Sequence, residues 1–263
     1  MFETLSEIVR HRALVWSLVQ RQLAVRYRGS VLGFVWTFLN PLCLMLVYTL
    51  VFSLFVRDPS IAHYGTFVFC GLLPWIWFSS ALLEGSNAIV GGGTLITKAL
   101  FPPQILPAVV SLAHAVNFLL SLPMLVPFLI QADRPFGWAL LALPVVMAVQ
   151  FLLIFAIVLG VSALNVHYRD VQHILGNVLS LWFFVTPVIF SVDSLKSRHW
   201  IFTLLIAKVN PMGVLAESYH EILYWGHFPN WRNLLVVFLG TLVILVVSHS
   251  IFRSYRDGFA EEI

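Results

Sequence analysis

The sequence contains few charged residues. Only 10% of the 263 residues are Asp, Glu, Lys or Arg, whereas 60% are apolar. A soluble globular domain carries about a quarter charged residues, so this composition excludes an ordinary soluble protein. The apolar surplus is larger than one core could bury, which indicates a polytopic membrane protein with one membrane domain and short loops.

Residues for disulfide, metal or catalytic chemistry are also scarce. The two cysteines, Cys43 and Cys70, lie in apolar stretches and are interpreted as small hydrophobic residues. Glu217-x-x-His220-Glu221 has a spacing found in carboxylate-bridged metal sites, but such sites need a second copy of the motif, which the sequence lacks. We therefore expect neither a catalytic centre nor a metal site in this chain.

The sequence has no phosphate-binding loop of the form G-x-x-x-x-G-K-[ST]. Its three consecutive glycines, Gly91, Gly92 and Gly93, are not followed by the required Gly-Lys-Ser/Thr. The chain thus shows no means of binding ATP by itself, and we expect it to hold no cofactor.

Intramembrane charge is equally rare. Glu84 is the one acidic residue deep within a predicted crossing, and His114 lies in the next crossing. A secondary transporter is expected to bury several paired charges, so a single carboxylate argues against that class. Without a role in transport, Glu84 would form hydrogen bonds between helices or reach the inner membrane surface.

Uncharged or nearly uncharged stretches predict the membrane-spanning helices. Each stretch is long enough to cross the hydrocarbon core, which takes roughly 20 helical residues. Six crossings place both termini on the same side of the membrane. The predicted spans are about 31–56, 64–90, 105–131, 136–164, 172–191 and 232–252.

The distribution of lysine and arginine predicts the orientation. With the termini inside, the inner segments hold nine of the 15 basic residues, and these lie close to the span ends. Both termini are therefore expected in the cytoplasm. The inner residues are Arg10, Arg12, Arg21, Arg26, Arg28, Lys98, Arg169, Arg253 and Arg256; the outer ones are Arg57, Arg134, Lys196, Arg198, Lys208 and Arg232.

The first crossing and the aromatic residues suggest further details. Because the chain is uncharged from Gly29 to Val56, the first helix is expected to tilt or to extend beyond the hydrocarbon core. The Asn40-Pro41 pair near its middle can kink it. Aromatic residues near span ends predict an interfacial belt, although some could line a path for a sugar chain. The belt candidates are Trp75, Trp77, Trp200, Trp225 and Trp231.

Residues 1–28 are too polar to span the membrane and predict an amphipathic helix in the cytoplasmic interface. On a helical wheel, three arginines fall on one face and an apolar stripe lies opposite them. The arginines are Arg10, Arg21 and Arg28, and the stripe is formed by Trp16, Val19, Leu23 and Tyr27.

Two connecting regions are distinctive. Residues 91–103, GGGTLITKALFPP, have helix breakers at both ends, so they form either a short helix that docks a soluble partner or a tight turn. Residues 193–231 contain apolar runs too short to cross, with a break at Asn210-Pro211. They form either two short helices that dip into the outer leaflet or an extracytoplasmic loop with an amphipathic helix.

Several segments in this order resemble one family, the permease subunits of type-2 ABC exporters for polysaccharides and polyol phosphates. The likeness is greatest to O-antigen exporters, followed by teichoic-acid exporters, and it covers essentially the whole chain. The segments are VRYRGSVLGFVWTFLNPL (25–42), GLLPWIWFSSALLEGSN (71–87), LITKALFPPQILP (95–107), LNVHYRDV (164–171), TPVIFS (186–191), NPM (210–212) and GFAEEI (258–263).

This resemblance implies an all-α polytopic fold in the bacterial inner membrane. Residues 1–28 would form the interfacial helix and 29–263 the transmembrane domain, with a coupling helix in 91–103 and re-entrant gate helices in 193–231. It also implies a homodimer joined to two copies of a separate ATPase that binds ATP and magnesium. The substrate would be an undecaprenyl-diphosphate-linked polysaccharide.

The candidate site residues fall into three groups. Those for docking the ATPase are Thr94, Leu95, Ile96, Thr97, Lys98, Phe101 and Pro102. Those for the substrate entrance and the interfacial helix are Arg21, Arg26, Tyr27 and Arg28. Arg26 or Arg28 could bind the diphosphate of the substrate, or the arginines could only anchor the helix to anionic headgroups. Those for the translocation path or gate are Trp36, Asn40, Glu84, Asn210 and Pro211.

Other functions stay open at this point. A related permease could export teichoic acid, a capsule, a lipid or a drug. An intramembrane glycosyl or acyl transferase would need catalytic carboxylates or histidines at one membrane face, for which Glu217 and His220 are the available candidates. A secondary carrier or channel would work without ATP.

Overall fold

The computed structural model describes residues 7, 9–27, 32–55, 61–93, 95, 102–133, 137–192 and 209–262. These residues form helices joined by short turns and contain no strand. The α-helices are α1 (Arg12–Tyr27), α2 (Trp36–Phe55), α3 (Tyr64–Ser86), α4 (Ala88–Gly91), α5 (Ile105–Ser121), α6 (Leu125–Gln131), α7 (Leu143–His167), α8 (Asp170–Val185), α9 (Pro211–Tyr219), α10 (Trp231–Tyr255) and α11 (Phe259–Glu262).

Five helical stretches within these described ranges are long and apolar enough to cross a membrane, which confirms a polytopic membrane protein. They are Trp36–Ser53, Tyr64–Ser86, Ile105–Gln131, Trp138–His167 and Trp231–Gly258. The third continues from α5 through a 3₁₀ turn into α6, and the fourth begins with a 3₁₀ segment before α7.

The predicted crossing at 172–191 is not among these five stretches. Its helix, α8, has 16 residues and ends at Val185, six residues before the predicted end. Thr186 is extended, with φ −99° and ψ 133°, because the ring of Pro187 disfavours a helical conformation in the residue before it.

The first crossing is also shorter than the uncharged stretch that contains it. Gly33 has φ +47° in a 3₁₀ turn, and α2 starts only at Trp36. With 20 residues, Trp36–Phe55, α2 is about 30 Å long, which is enough to cross the hydrocarbon core, and the predicted tilt stays a prediction. Pro41 lies in the second turn of α2 and not at its middle, as the sequence had suggested.

Helix α3 lies at the centre of the structure. In an apolar 18-residue stretch of this helix, 78% of the residues are buried, against 11% in the corresponding stretch of α2 and 28% in that of α10. Helices α2, α5, α7, α8 and α9 all contact it. Pro74 lies inside α3, and the buried side chain of Gln150 on α7 donates a hydrogen bond of 2.8 Å to the Pro74 carbonyl. The Gln150 amide N–H thus finds its partner on a neighbouring crossing, as a membrane interior requires.

Two of the predicted belt residues lie in this core. Trp75 and Trp77 are 6% and 3% exposed, so their assignment to the membrane interface was wrong. Trp77 stacks on Phe118 with ring centroids 4.6 Å apart, and Trp75 meets Phe183 edge to face at 5.5 Å. Trp231, at the start of α10, is 49% exposed, and Trp200 lies outside the described residues.

Helix α9 begins at Pro211, where the sequence predicted a break, and continues as a π-helical segment, His220–Trp225. This part of the region between the last two crossings is buried. Tyr219 and Tyr224 are both fully buried, and the Tyr224 hydroxyl accepts a hydrogen bond of 3.2 Å from the backbone N–H of His63. The segment therefore packs against the start of α3 and is not a solvent-exposed loop.

Helix α1 packs on α5. Val15 and Val19 are buried against Ile105, Val109 and Ala113, and Leu23 packs against the same cluster. Trp16, assigned to the same apolar stripe as Val19, is 53% exposed. The buried face is thus centred one residue away from the predicted one, on Val15 and Val19, which are one helical turn apart.

Small residues allow the crossings to approach closely. A Cβ atom on Gly85 of α3 would lie 2.5 Å from a methyl carbon of Val158 on α7. On the other side of α7, a Cβ atom on Gly160 would lie 2.7 Å from the Ser248 hydroxyl of α10. Such contacts are typical of membrane helix interfaces, where small residues bring the backbones together.

The first prediction concerns these glycines. Gly85→Ala and Gly160→Ala should each destabilise the protein by about 1–3 kcal/mol, because the added methyl group overpacks a helix interface. Gly240→Ala on α10 is the matched control, since a Cβ atom there meets nothing within 4 Å. Thermal unfolding in detergent should show a lower midpoint for the first two variants only; an equal midpoint for all three would contradict the packing argument.

Candidate functional site

A cluster of four polar side chains joins α1, α3 and α5. It consists of Gln22, Arg26, Glu84 and His114 and is called the polar cluster below. Arg26 Nη2 forms an ion pair with Glu84 Oε2, and Gln22 Nε2 donates to Glu84 Oε1 at 2.5 Å. His114 Nε2 lies 2.9 Å from Glu84 Oε2. Glu84 is therefore the acceptor on which the cluster converges.

The helices bring these residues together from distant parts of the sequence. Gln22 and Arg26 are four residues apart on α1 and so project from one face. Glu84 lies in the last turn of α3, and Gly85 beside it lets α3 approach α7. The apolar contacts between α1 and α5 hold the arginine near His114.

His114 can serve only one of its two neighbours at a time through Nε2. This nitrogen lies 3.2 Å from Arg26 Nη2 and 2.9 Å from Glu84 Oε2. A protonated Nε2 donates to Glu84, whereas an unprotonated Nε2 accepts from Arg26. The histidine can therefore support the carboxylate with or without the arginine beside it.

The ion pair and the histidine differ in burial. His114 is 4% exposed, whereas the side chains of Arg26 and Glu84 are 33% and 38% exposed. Exposed ion pairs contribute only about 0.2–1 kcal/mol to stability. The arginine can consequently exchange partners at a low cost in free energy.

Two cavities meet at Arg26. The larger, of about 740 Å³, lies between α1, the end of α3 and the start of α5, and Arg21, Arg26 and Glu84 supply the charge in its lining. It also reaches Gly92 and Leu95, at the start of the predicted docking loop. This cavity thus connects the arginines of α1 with the residues that follow α4.

The smaller cavity has a volume of about 340 Å³ and lies between α2, α3 and α5. Arg26 and His114 line it together with Trp36 and Asn40 of α2. The polar cluster therefore lies between the two cavities, with Glu84 lining the larger one and His114 the smaller one.

Comparison with known proteins identifies the family. Residues 13–224, most of the chain, match the family described as "ABC-2 type transporter". The chain belongs to the ABC-2 type transporter family.

Among its relatives, the O-antigen export system permease protein RfbA of Myxococcus xanthus is 41% identical over 263 residues, covering 100% of both chains. An RfbA of the same description from Klebsiella pneumoniae is 27% identical and covers 93% of this chain and 92% of its own. The polysialic acid transport protein KpsM of Escherichia coli is 22% identical, with 94% and 95% covered. This ABC-2 protein is thus a membrane transport subunit and not a catalytic enzyme.

The structure brings five of the predicted site residues of this transporter subunit to one place. Arg26 and Glu84 are paired, Arg21 lines the larger cavity, and Trp36 and Asn40 line the smaller one. Leu95 also lines the larger cavity, and Pro102 accepts a backbone hydrogen bond from Ile105 ahead of α5. Tyr27 ends α1. Arg28, Thr94, Ile96, Thr97, Lys98 and Phe101 lie outside the described residues.

Asn210 and Pro211 lie apart from the polar cluster and connect α8 to α9. The Asn210 side chain accepts a hydrogen bond of 2.8 Å from Trp182 Nε1 and donates to the Val185 carbonyl at 3.2 Å. Pro211 is the first residue of α9. These contacts fix the end of α8 against α9, so a gate role for the pair stays a prediction.

The other titratable candidates also have local structural contacts. His220 stacks on Phe67 with ring centroids 3.9 Å apart, and its Nε2 lies 3.0 Å from the Phe67 carbonyl oxygen. A Glu221 carboxylate oxygen accepts from the backbone N–H of Asn230 at 3.1 Å. These contacts connect the π-helical segment to α3 and to the start of α10.

Gln22 and Asn117 were missing from the sequence-based site. Gln22 binds Glu84, and Asn117 lines the smaller cavity one turn after His114. The spacing of four between Gln22 and Arg26 was the available signal for Gln22, because it places both on one helical face. The spacing of three between His114 and Asn117 carries the same information for α5.

The second prediction measures the ion pair. A double-mutant cycle of Arg26→Gln and Glu84→Gln should give a coupling free energy of about 0.2–1 kcal/mol in unfolding, since both side chains are partly exposed. The control cycle combines Arg26→Gln with Glu262→Gln. Glu262 is an exposed residue of α11 and does not pair with Arg26 in the structure. Coupling above about 3 kcal/mol would instead indicate a buried, structural pair.

Proposed function

We propose that this chain is the permease subunit of an ATP-driven exporter that moves an undecaprenyl-diphosphate-linked polysaccharide of O-antigen type from the cytoplasm across the inner membrane. The full-length similarity to the O-antigen export permease of M. xanthus carries this proposal. The predominantly apolar composition and the five spanning helices agree with a transport subunit.

In this proposal the chain crosses the membrane six times, with both termini in the cytoplasm. Helix α8 is the additional crossing. Its 16 residues extend about 24 Å, and the non-helical residues Thr186–Phe190 would cover the remaining depth. Helix α9 and the π-helical segment form a re-entrant structure at the outer side, supported by their burial against α3.

The functional exporter would contain two copies of this chain and two copies of a separate ATPase. The ATPase would supply the ATP and magnesium sites, because the sequence of this chain has no phosphate-binding loop. Residues 94–102 would dock it on the cytoplasmic side. The larger cavity borders this region at Gly92 and Leu95, which offers a short physical route from the docking loop to the substrate entrance.

The diphosphate of the substrate would meet the arginines of α1. Arg21 and Arg26 line the larger cavity, and a guanidinium group forms paired hydrogen bonds with phosphate oxygens. Trp36 and Asn40 in the smaller cavity would then face a substrate that has passed Arg26. Arg28 follows α1 directly in the sequence and is proposed to act at the same entrance.

Capsular polysaccharide is the second candidate substrate. The similarity to the polysialic acid transport protein KpsM favours it, although at 22% identity this likeness is weaker than the one to the O-antigen permeases.

The third prediction tests the function. Deletion of this gene should abolish the surface polysaccharide, and the purified chain should form a stable complex with its ATPase. The ATPase activity of the complex should rise with undecaprenyl-diphosphate-linked O-antigen, because only the correct substrate engages the entrance. Capsular polysaccharide and small lipophilic drugs serve as comparison substrates. An intact cell surface together with no ATPase complex would refute the proposal.

A further inference from the structure

We infer that Glu84 is a resting-state counter-ion that holds Arg26 until a diphosphate group displaces it, while Gln22 and His114 retain Glu84 afterwards. The inference rests on the proposed function for the identity of the diphosphate. It assigns to Glu84 a role as competitor of the substrate for Arg26. Neither the family resemblance nor the names of the similar proteins give Glu84 this role.

The first argument is that Glu84 has more donors than it needs. Gln22 holds Oε1 at 2.5 Å, while Arg26 and His114 both reach Oε2. When Arg26 leaves, one donor remains on each oxygen. The carboxylate therefore keeps a hydrogen-bond partner on each oxygen, and the release of Arg26 leaves no unpaired charge at this partly exposed site.

The second argument concerns His114. With Arg26 in place, Arg26 Nη2 and Glu84 Oε2 compete for the same ring nitrogen at 3.2 and 2.9 Å. Departure of the arginine removes this competition, and a protonated Nε2 then donates to Glu84 alone. The buried imidazole ring thus provides a partner for the carboxylate in the released state.

The third argument is the charge of the larger cavity. Its charged lining in the described residues is Arg21, Arg26 and Glu84, so the two arginines exceed the one carboxylate. A diphosphate entering from this side meets a net positive site and competes directly with Glu84 for Arg26. Because Arg26 also lines the smaller cavity, its change of partner alters the wall between the two cavities.

A competing counter-ion lowers the affinity for the ligand in a defined way. The apparent affinity for the diphosphate is the intrinsic affinity multiplied by the fraction of molecules in which Arg26 is not held by Glu84. Weakening the Glu84 contact increases this fraction and should therefore strengthen diphosphate binding.

The experiment measures binding of undecaprenyl diphosphate to the purified full-length permease by native mass spectrometry. Glu84→Gln should lower the Kd about threefold or more, because Arg26 becomes available. Glu84→Asp should act in the same direction, since it keeps the charge but shortens the reach to Arg26. Arg26→Gln should raise the Kd about tenfold or more through loss of the guanidinium contact.

The decisive variant combines Arg26→Gln with Glu84→Gln, which keeps the net charge of the wild type. The inference requires the double variant to bind as weakly as Arg26→Gln alone. Wild-type affinity of the double variant would show that only the local net charge matters and would overturn the inference. Arg253→Gln and Glu262→Gln, at exposed positions in α10 and α11, should leave the Kd unchanged.

Further outcomes separate the source of the phosphate and the two proposals. Two comparison probes are used: nanodiscs that contain phosphatidylglycerol, and inorganic pyrophosphate. If binding of either probe depends on Arg26 as strongly as binding of undecaprenyl diphosphate does, the site is assigned to that probe, and the inference for the lipid diphosphate is overturned. Unchanged Kd values for both Glu84 variants would also overturn it and leave the proposed export function intact. Because the assay needs neither the ATPase nor export, failure of the proposed function is detected separately.

Discussion

The structure depends on the requirement that polar groups inside a membrane be satisfied within the protein. In the described residues a few contacts between helices serve this requirement. Gln150 donates to the carbonyl of Pro74, and Glu84 receives donors from two different helices. Since only 10% of the chain is charged, each intramembrane charge constrains how the helices around it can be arranged.

Hydrophobic runs were sufficient to predict five of the six expected crossings, because helix length in a membrane follows from its thickness. They did not predict helix ends, which local backbone chemistry determines at Gly33 and before Pro187. They also placed Trp75 and Trp77 at the membrane surface, although both lie in the core. An apolar side chain suits lipid and protein equally well, so hydropathy cannot distinguish the two environments.

The candidate site was predictable as a set of residues but not as a geometry. Glu84 was conspicuous as a carboxylate in an apolar stretch, and Arg26 was conspicuous beside the first crossing. Their pairing joins positions 58 residues apart and depends on how α1 packs on α5. No local spacing encodes that packing. In contrast, Gln22 and Arg26 lie on one face of α1, and this shared face explains why both contact the same carboxylate.

The close approach at Gly85 has a mechanical consequence for the residue beside it. The backbone of Glu84 is fixed by the contact of α3 with α7, whereas α1 is attached through a small apolar patch and the polar cluster. The negative charge is therefore borne by the central helix of the protein, and the positive charge by a helix packed on its outside. When Arg26 changes partner, the attachment of α1 to α3 changes, while α3 keeps its close contact with α7.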